Sequence, residues 1–295
     1  MKLKSTINYN LQNTVLFFPG FAIYVGLVIL SIFLCFYYSF FDWNGIRKTM
    51  DFVGFNNYIF TLQSKEFLRS VKVTFFYAIF GTLIANVVSL VLAFFLNRKT
   101  PLMYGYRAAF FFPQLISMVA VGFIFKALLS YIGIVNMYLE QFGMAKIDFI
   151  GNPDLAPWTV LGISIWQVTG FATVLYLAGL QAIPGDIFDA AKIDGINTWQ
   201  KFWYITFPWL APSFTSVTIL LFTGYMKIFD IIFVMTGGGP AGRTQSIAQF
   251  ILKVGVSQYR VSYASAIAIY MMILVATISI ALTTLLRKRE ENIIS

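Results

Sequence analysis

Between Lys4 and Asp42 the chain runs for 37 residues without a charged side chain. The pattern recurs. Lys72 to Arg98 encloses 25 uncharged residues, Arg107 to Lys126 encloses 18, and Asp154 to Asp186 encloses 31. Lys201 to Lys227 encloses 25 and Arg260 to Arg287 encloses 26, while no other gap between charges reaches 14. A helix needs about 20 apolar residues to cross the hydrocarbon core of a bilayer. The runs therefore predict an all-α integral membrane protein with six transmembrane helices, at about 14–41, 73–97, 107–128, 157–182, 213–235 and 263–286. Helices are preferred to barrel strands, which are about 10 residues long and alternate apolar with polar positions.

Composition removes other classes. Apolar residues make up 59% of the 295 and charged residues 11%, against about 25% charged in an ordinary soluble domain. The lone Cys35 and the absence of histidine exclude Ser-His-Asp and Cys-His catalysis, His-ligated zinc and His-ligated haem. The net charge of +9 is scattered between the apolar runs, which suits lipid headgroups and solvent rather than nucleic acid. The opening MKLKSTINYN reads as uncleaved, because the apolar run behind it is too long for a signal peptide.

Six spans put both termini on one side of the membrane. The short basic turn from Arg98 to Arg107 and the tail Arg287-Lys288-Arg289 favour the cytoplasmic side for them. Tryptophans fall where interfacial anchors belong: Trp43 after the first span, Trp158 opening the fourth, and Trp199, Trp203 and Trp209 before the fifth.

The most informative stretch lies between the fourth and fifth spans. Pro184 suits a first helical position and Asp186 a helix N-terminus. Ile187 to Ile193 reads as two helical turns, with Gly195 placed for a left-handed cap. Asn197 and Gln200 have capping-box spacing and open a second helix, whose end Pro208 and Pro212 mark. The expectation is a helix–turn–helix loop over 183–212.

Asp189-Ala190-Ala191-Lys192-Ile193-Asp194-Gly195, followed by Phe202, Ile205, Pro208 and Pro212, resembles the coupling loop of ABC importer permeases. That family's pattern is Glu-Ala-Ala, two variable residues and Asp-Gly-Ala; here Asp189 stands for Glu and Ile196 for Ala. Phe229-Asp230 with Thr236-Gly237-Gly238-Gly239-Pro240, and Phe52 to Tyr58, resemble segments of the maltose-type sugar permeases. The resemblance implies that the loop is cytoplasmic and docks on a separate ATPase dimer through Asp189, Ala190, Ala191, Asp194 and Gly195. It also implies a second homologous permease, an extracytoplasmic solute-binding protein, a sugar substrate and a cytoplasmic-membrane location in a bacterium or archaeon. ATP and Mg belong to the partner: no Gly-x-x-x-x-Gly-Lys-Ser/Thr pattern is present, so no cofactor and no enzymatic activity are expected of this chain.

Sugars are held by hydrogen bonds to their hydroxyls and by stacking on aromatic rings. Gln167, Phe171 and Tyr225 offer that chemistry near the middle of the fourth and fifth spans. Leu221, Gly224 and Tyr225 match substrate-contacting positions of maltose-type permeases. The same residue types also simply pack transmembrane helices together. Lys227 and Asp230 share a helix face at a spacing that permits an ion pair. Three other readings remain: a permease for a non-sugar solute, a secondary transporter driven by an ion gradient, and a membrane-bound transferase using the acids at 189–194.

Overall fold

The computed structural model describes residues 17–98 and 100–294, the last four as backbone. Positions 14–16 of the first expected span, and Lys2, Lys4 and Lys99, lie outside the described residues. Six helical segments are long and apolar enough to cross a membrane: Phe17–Tyr38, Lys65–Leu96, Met118–Gln141, Ala156–Ala182, Ala211–Met235 and Val261–Glu290. The all-α, six-helix expectation is met.

The chain divides into two compact units. The first comprises the described part of Met1–Ser64 together with Ile251–Tyr270. In it, α1 (Phe17–Tyr38) is followed by two-residue strands β1 (Phe41–Asp42) and β2 (Asp51–Phe52), which pair antiparallel, and by α2 (Asn56–Gln63). Asn57 holds this corner, its amide donating to the carbonyls of Ser39 at 2.9 Å and Phe41 at 2.7 Å. Tyr58 meets the Ser39 hydroxyl at 2.6 Å and packs edge-on against Tyr270.

The second unit spans Lys65–Phe250 and Met271–Ser295. Its elements are α3 (Lys65–Leu96), α4 (Pro101–Leu115), α5 (Met118–Leu129), α6 (Ile134–Gln141), α7 (Ala156–Gln181), α8 (Gly185–Ile193), α9 (198–209), α10 (Ala211–Met226) and α11 (Asp230–Met235). Helices α12 (Ile247–Leu252) and α13 (Val261–Ile294) contribute to both units. Helices α3, α7 and α10 form the core. Ala78, Gly81, Thr82, Ala85, Asn86, Ser89 and Ala93 are buried along one stripe of α3, and their small size lets neighbouring backbones approach. Across that seam the Tyr176 hydroxyl donates to Asn86 Oδ1 at 2.5 Å, and the Ser89 hydroxyl donates to the Thr169 carbonyl at 3.2 Å. On the other side of α7, a Cβ on Gly170 would collide with the Phe110 carbonyl and the Phe111 backbone, so only glycine lets α4 sit there.

Two expected spans are not continuous helices. The stretch read as 107–128 breaks at Ile116 and Ser117, both extended at ψ of 135°. Pro113, which removes a ladder donor, lies three residues ahead of the break. The stretch read as 213–235 breaks between Met226 and Asp230, where Phe229 adopts φ −145° and ψ −57°. Both breaks are internally satisfied. Gln167 Nε2 donates to the Ile116 carbonyl at 2.7 Å, and the Ser246 hydroxyl donates to the Ile228 carbonyl at 2.7 Å.

The close approach at Gly170 carries a prediction. Gly170→Val forces α4 off α7, and we expect a loss of about 2 kcal/mol of stability. Gly162→Val, on the same helix with open space around it, is the control and should be near neutral. Thermal unfolding of both variants in detergent checks this; equal behaviour of the two would refute the packing argument.

Candidate functional site

A cavity of about 310 Å³ opens between the middle of α7 and the C-terminal half of α10. Ser164, Val168, Phe171 and Leu175 of α7 line one side, at successive helical turns. Leu221, Gly224 and Tyr225 of α10 line the other. The break after Met226 turns Lys227, Phe229 and Asp230 towards the same space, and Gln114 reaches it from the end of α4. The walls are thus mostly apolar and aromatic with a few polar groups, the usual composition of a small-molecule site.

The geometry sorts the residues expected to contact substrate. Phe171, Leu221, Gly224 and Tyr225 all line the cavity. Gln167 does not: it is buried, and its amide donor is committed to the Ile116 carbonyl, so it works as a prop for the α4–α5 break. Gln114, which the sequence reading passed over, supplies an amide at the wall instead. A sequence signal existed, since Gln114 follows Pro113 at the disrupted end of a span.

Tyr225 is held by shape. A Cβ on Gly81 of α3 would lie 2.7 Å from its ring, so the glycine makes the slot that the ring fills. Its hydroxyl lies beside Ser164, whose own hydroxyl donates to the Leu161 carbonyl at 2.8 Å. Gly224 is different: a Cβ there meets nothing within 4 Å, because that face of α10 looks into the open space. Lys227 and Asp230 do not pair. Neither takes part in the ion pairs Lys146–Glu140, Lys192–Asp189 or Arg243–Asp154, so both cavity charges remain available to a ligand.

At the other end of α7 and α10 the chain forms the expected hairpin. Helix α8 starts at Gly185, with Pro184 just ahead of it rather than at the first helical position. It ends in a Schellman turn: Gly195 sits at φ +69°, its N–H bonds the Lys192 carbonyl, and the Ile196 N–H bonds the Ala191 carbonyl. The Asn197–Gln200 capping box is complete, with bonds of 3.1 and 2.9 Å. Beyond it α9 runs to Trp209 and ends between Pro208 and Pro212, the two prolines expected to mark its end. A wide turn at Phe202–Thr206 precedes Pro208, and Pro212 belongs to the first turn of α10.

The residues expected to meet an ATPase fall on two faces. Asp189, Ala190, Asp194 and Gly195 are exposed, whereas Ala191 is buried and cannot touch a partner. Ile193, not singled out from sequence, is 87% exposed at the end of α8, an unusual place for a large apolar side chain. Lys192 donates to the Asp189 carboxylate at 2.7 Å and holds its carboxyl below the usual carboxylate range. The Lys201 ammonium stands 4.5 Å from the Phe188 ring, tying α9 to α8.

Comparison with known proteins agrees with this architecture. The family model "binding-protein-dependent transport system inner membrane component" matches residues 85–292. The chain is 32% identical to the probable starch degradation products transport system permease protein AmyD of Thermoanaerobacterium thermosulfurigenes, over 92% of each chain. It is 31% identical to the multiple sugar-binding transport system permease protein MsmF of Streptococcus mutans, over 86% of this chain and 88% of that one. Among solved structures, a chain of a bacterial ABC transporter involved in import of the acidic polysaccharide alginate has the same fold. It superposes with a TM-score of 0.85 at 20% identity, covering 98% of this chain and 99% of that one. Multiple apolar helices, a mid-span cavity and a capped hairpin are thus features of a transport permease rather than of an enzyme, and the chain belongs to the inner-membrane components of binding-protein-dependent transport systems.

Proposed function

We propose that this chain is the membrane-spanning subunit of an ATP-driven sugar importer, forming half of the translocation path beside a second, homologous permease. The observation that carries the reading is that the cavity and the hairpin share one helix pair. The middle of α7 and the C-terminal half of α10 line the cavity, and α8 and α9 join the C-terminus of α7 to the N-terminus of α10. Force applied to the hairpin therefore reaches the cavity through two rigid rods. Phe171 and Phe229 offer stacking surfaces, while Gln114, Lys227 and Asp230 offer hydrogen bonds to hydroxyls. The sugar-transport names of the relatives point the same way.

In this reading the hairpin faces the cytoplasm, as both termini do, and enters a cleft on an ATPase dimer that holds ATP and Mg. The exposed apolar tip of Ile193 enters first, and the carboxylates of Asp189 and Asp194 on the same exposed surface meet Arg or Lys of the partner. Closure of the dimer drives the hairpin as a lever, and a solute-binding protein delivers sugar from the other side.

Two substitutions separate the halves of the proposal. Asp194→Lys alters only an exposed side chain. Reconstituted with its ATPase and binding protein, that variant should insert normally yet lose at least about tenfold of its ATP-dependent uptake, equivalent to about 1.4 kcal/mol or more of coupling. Undiminished uptake would remove the docking role from this loop. Gly224→Leu places a side chain in empty space, so folding and ATP hydrolysis should persist while sugar uptake falls to near background. Wild-type sugar uptake by that variant would show that the path lies elsewhere. Uptake by the isolated chain on an ion gradient alone would instead establish a secondary transporter.

A further inference from the structure

At the end of α3 and α7 opposite the hairpin lies a second hollow, of about 670 Å³. Arg69, Lys72, Val73 and Phe76 line it from α3. Their spacing of i, i+3, i+4 and i+7 makes them one stripe of that helix. Trp158 at the start of α7, Asp154 just before it, and Arg243 on the loop after α11 complete the walls.

The charges are anchored from behind. Arg69 Nη1 donates to the Ala241 carbonyl at 2.6 Å, and Gly242, at φ +74°, lets the loop come against the Arg69 side chain. The Arg243 guanidinium stands 3.8 Å from the exposed Asp154 carboxylate, too far for a strong bond. Lys72 is exposed and forms no ion pair among the described residues. Three cations against one carboxylate leave a positive surplus in a concave site.

Below the cations the stripe becomes aromatic. Phe76 meets the Trp158 ring edge-on with centroids 4.8 Å apart, and Phe80, one turn further in, lies 5.5 Å from the same ring. Phe80 and Trp158 are 40% and 49% exposed, so this aromatic face looks outward. Charge therefore gives way to ring surface over about 16 Å of helix from Arg69 to Phe80, and the change falls where the uncharged run begins after Lys72. A phospholipid lying along the helix presents the same order of polarity, headgroup first and chain second.

We propose that this hollow binds an anionic phospholipid, its phosphate among Arg69, Lys72 and Arg243 and its acyl chain along Val73, Phe76, Trp158 and Phe80. An acidic segment of a soluble partner would use the cations but gain nothing from rings that lie beneath the membrane surface. The site stands on the membrane-spanning architecture alone and does not require that the transported solute be a sugar.

The test uses the full chain in vesicles of phosphatidylcholine with a minor fraction of phosphatidylglycerol, one lipid or the other carrying brominated acyl chains. The Trp158 contribution to fluorescence is the difference between the wild type and Trp158→Phe. Brominated phosphatidylglycerol should quench Trp158 more than the same amount of brominated phosphatidylcholine. Lys72→Gln and Arg243→Gln should lower that preference by about fivefold for each cation removed, with the remaining tryptophans quenched as before. Lys72→Gln alone, which breaks no ion pair, keeps the test sharp if the double variant folds poorly. Arg69 is left intact because it also holds the Ala241 loop. Inorganic phosphate added at constant ionic strength should leave the preference in place, because it lacks a chain to lie on the rings. Equal quenching by the two lipids, a preference that survives loss of both cations, or one erased by inorganic phosphate would overturn the proposal. So would absence of any preference combined with weakened attachment of the solute-binding protein in the same variants, which would mark the hollow as a protein-docking surface.

Discussion

A bilayer core offers no water to a broken helix, so every carbonyl freed by a break must find a donor inside the protein. Two such breaks shape this permease. At Ile116 the donor is Gln167 of α7, and at Ile228 it is Ser246 of the loop leading into α12. Both partners come from segments remote in sequence, so each break is possible only within the assembled unit. The cavity depends on them: the first places Gln114 and Met118 at its wall, and the second turns Lys227, Phe229 and Asp230 into it. Unbroken helices would carry those side chains past the site along their own axes.

Close packing of α3, α7 and α10 is the complementary constraint. Gly81 admits the Tyr225 ring, Gly170 admits the α4 backbone, and a Cβ on Gly179 would collide with Ser213 at the start of α10. The Asn86–Tyr176 bond and the Ser89–Thr169 bond lock the register of α3 against α7 in a setting where lipid contributes no hydrophobic drive between helices.

The hairpin was legible in the sequence almost residue by residue, because caps act locally. The left-handed turn at Gly195 and the Asn197–Gln200 box require only neighbours within a few positions. Its end was legible too, since α9 stops at Trp209 between Pro208 and Pro212, but the wide turn at Phe202–Thr206 was not. The faces of α8 were equally hidden: Ala190 and Ala191 are the same residue, but only packing against the rest of the unit makes the first exposed and the second buried.

What the sequence determined by itself was the number of spans and the capped hairpin between the fourth and the fifth. A charge in hydrocarbon and an uncapped helix end both carry local costs that residue type alone sets. Sugar-binding chemistry named Phe171 and Tyr225, and the resemblance to maltose-type permeases named Leu221 and Gly224; all four line the cavity. Tertiary structure alone decided that Gln167 props a break rather than facing a ligand, that Lys227 and Asp230 stay apart, and that Arg69, Lys72 and Arg243 share a hollow with Trp158. The reason is the same throughout. The break between α10 and α11 contains neither proline nor glycine at 227–229, so no helix breaker marks it, and the Ile228 carbonyl finds its donor only when the loop after α11 folds back to bring up the Ser246 hydroxyl.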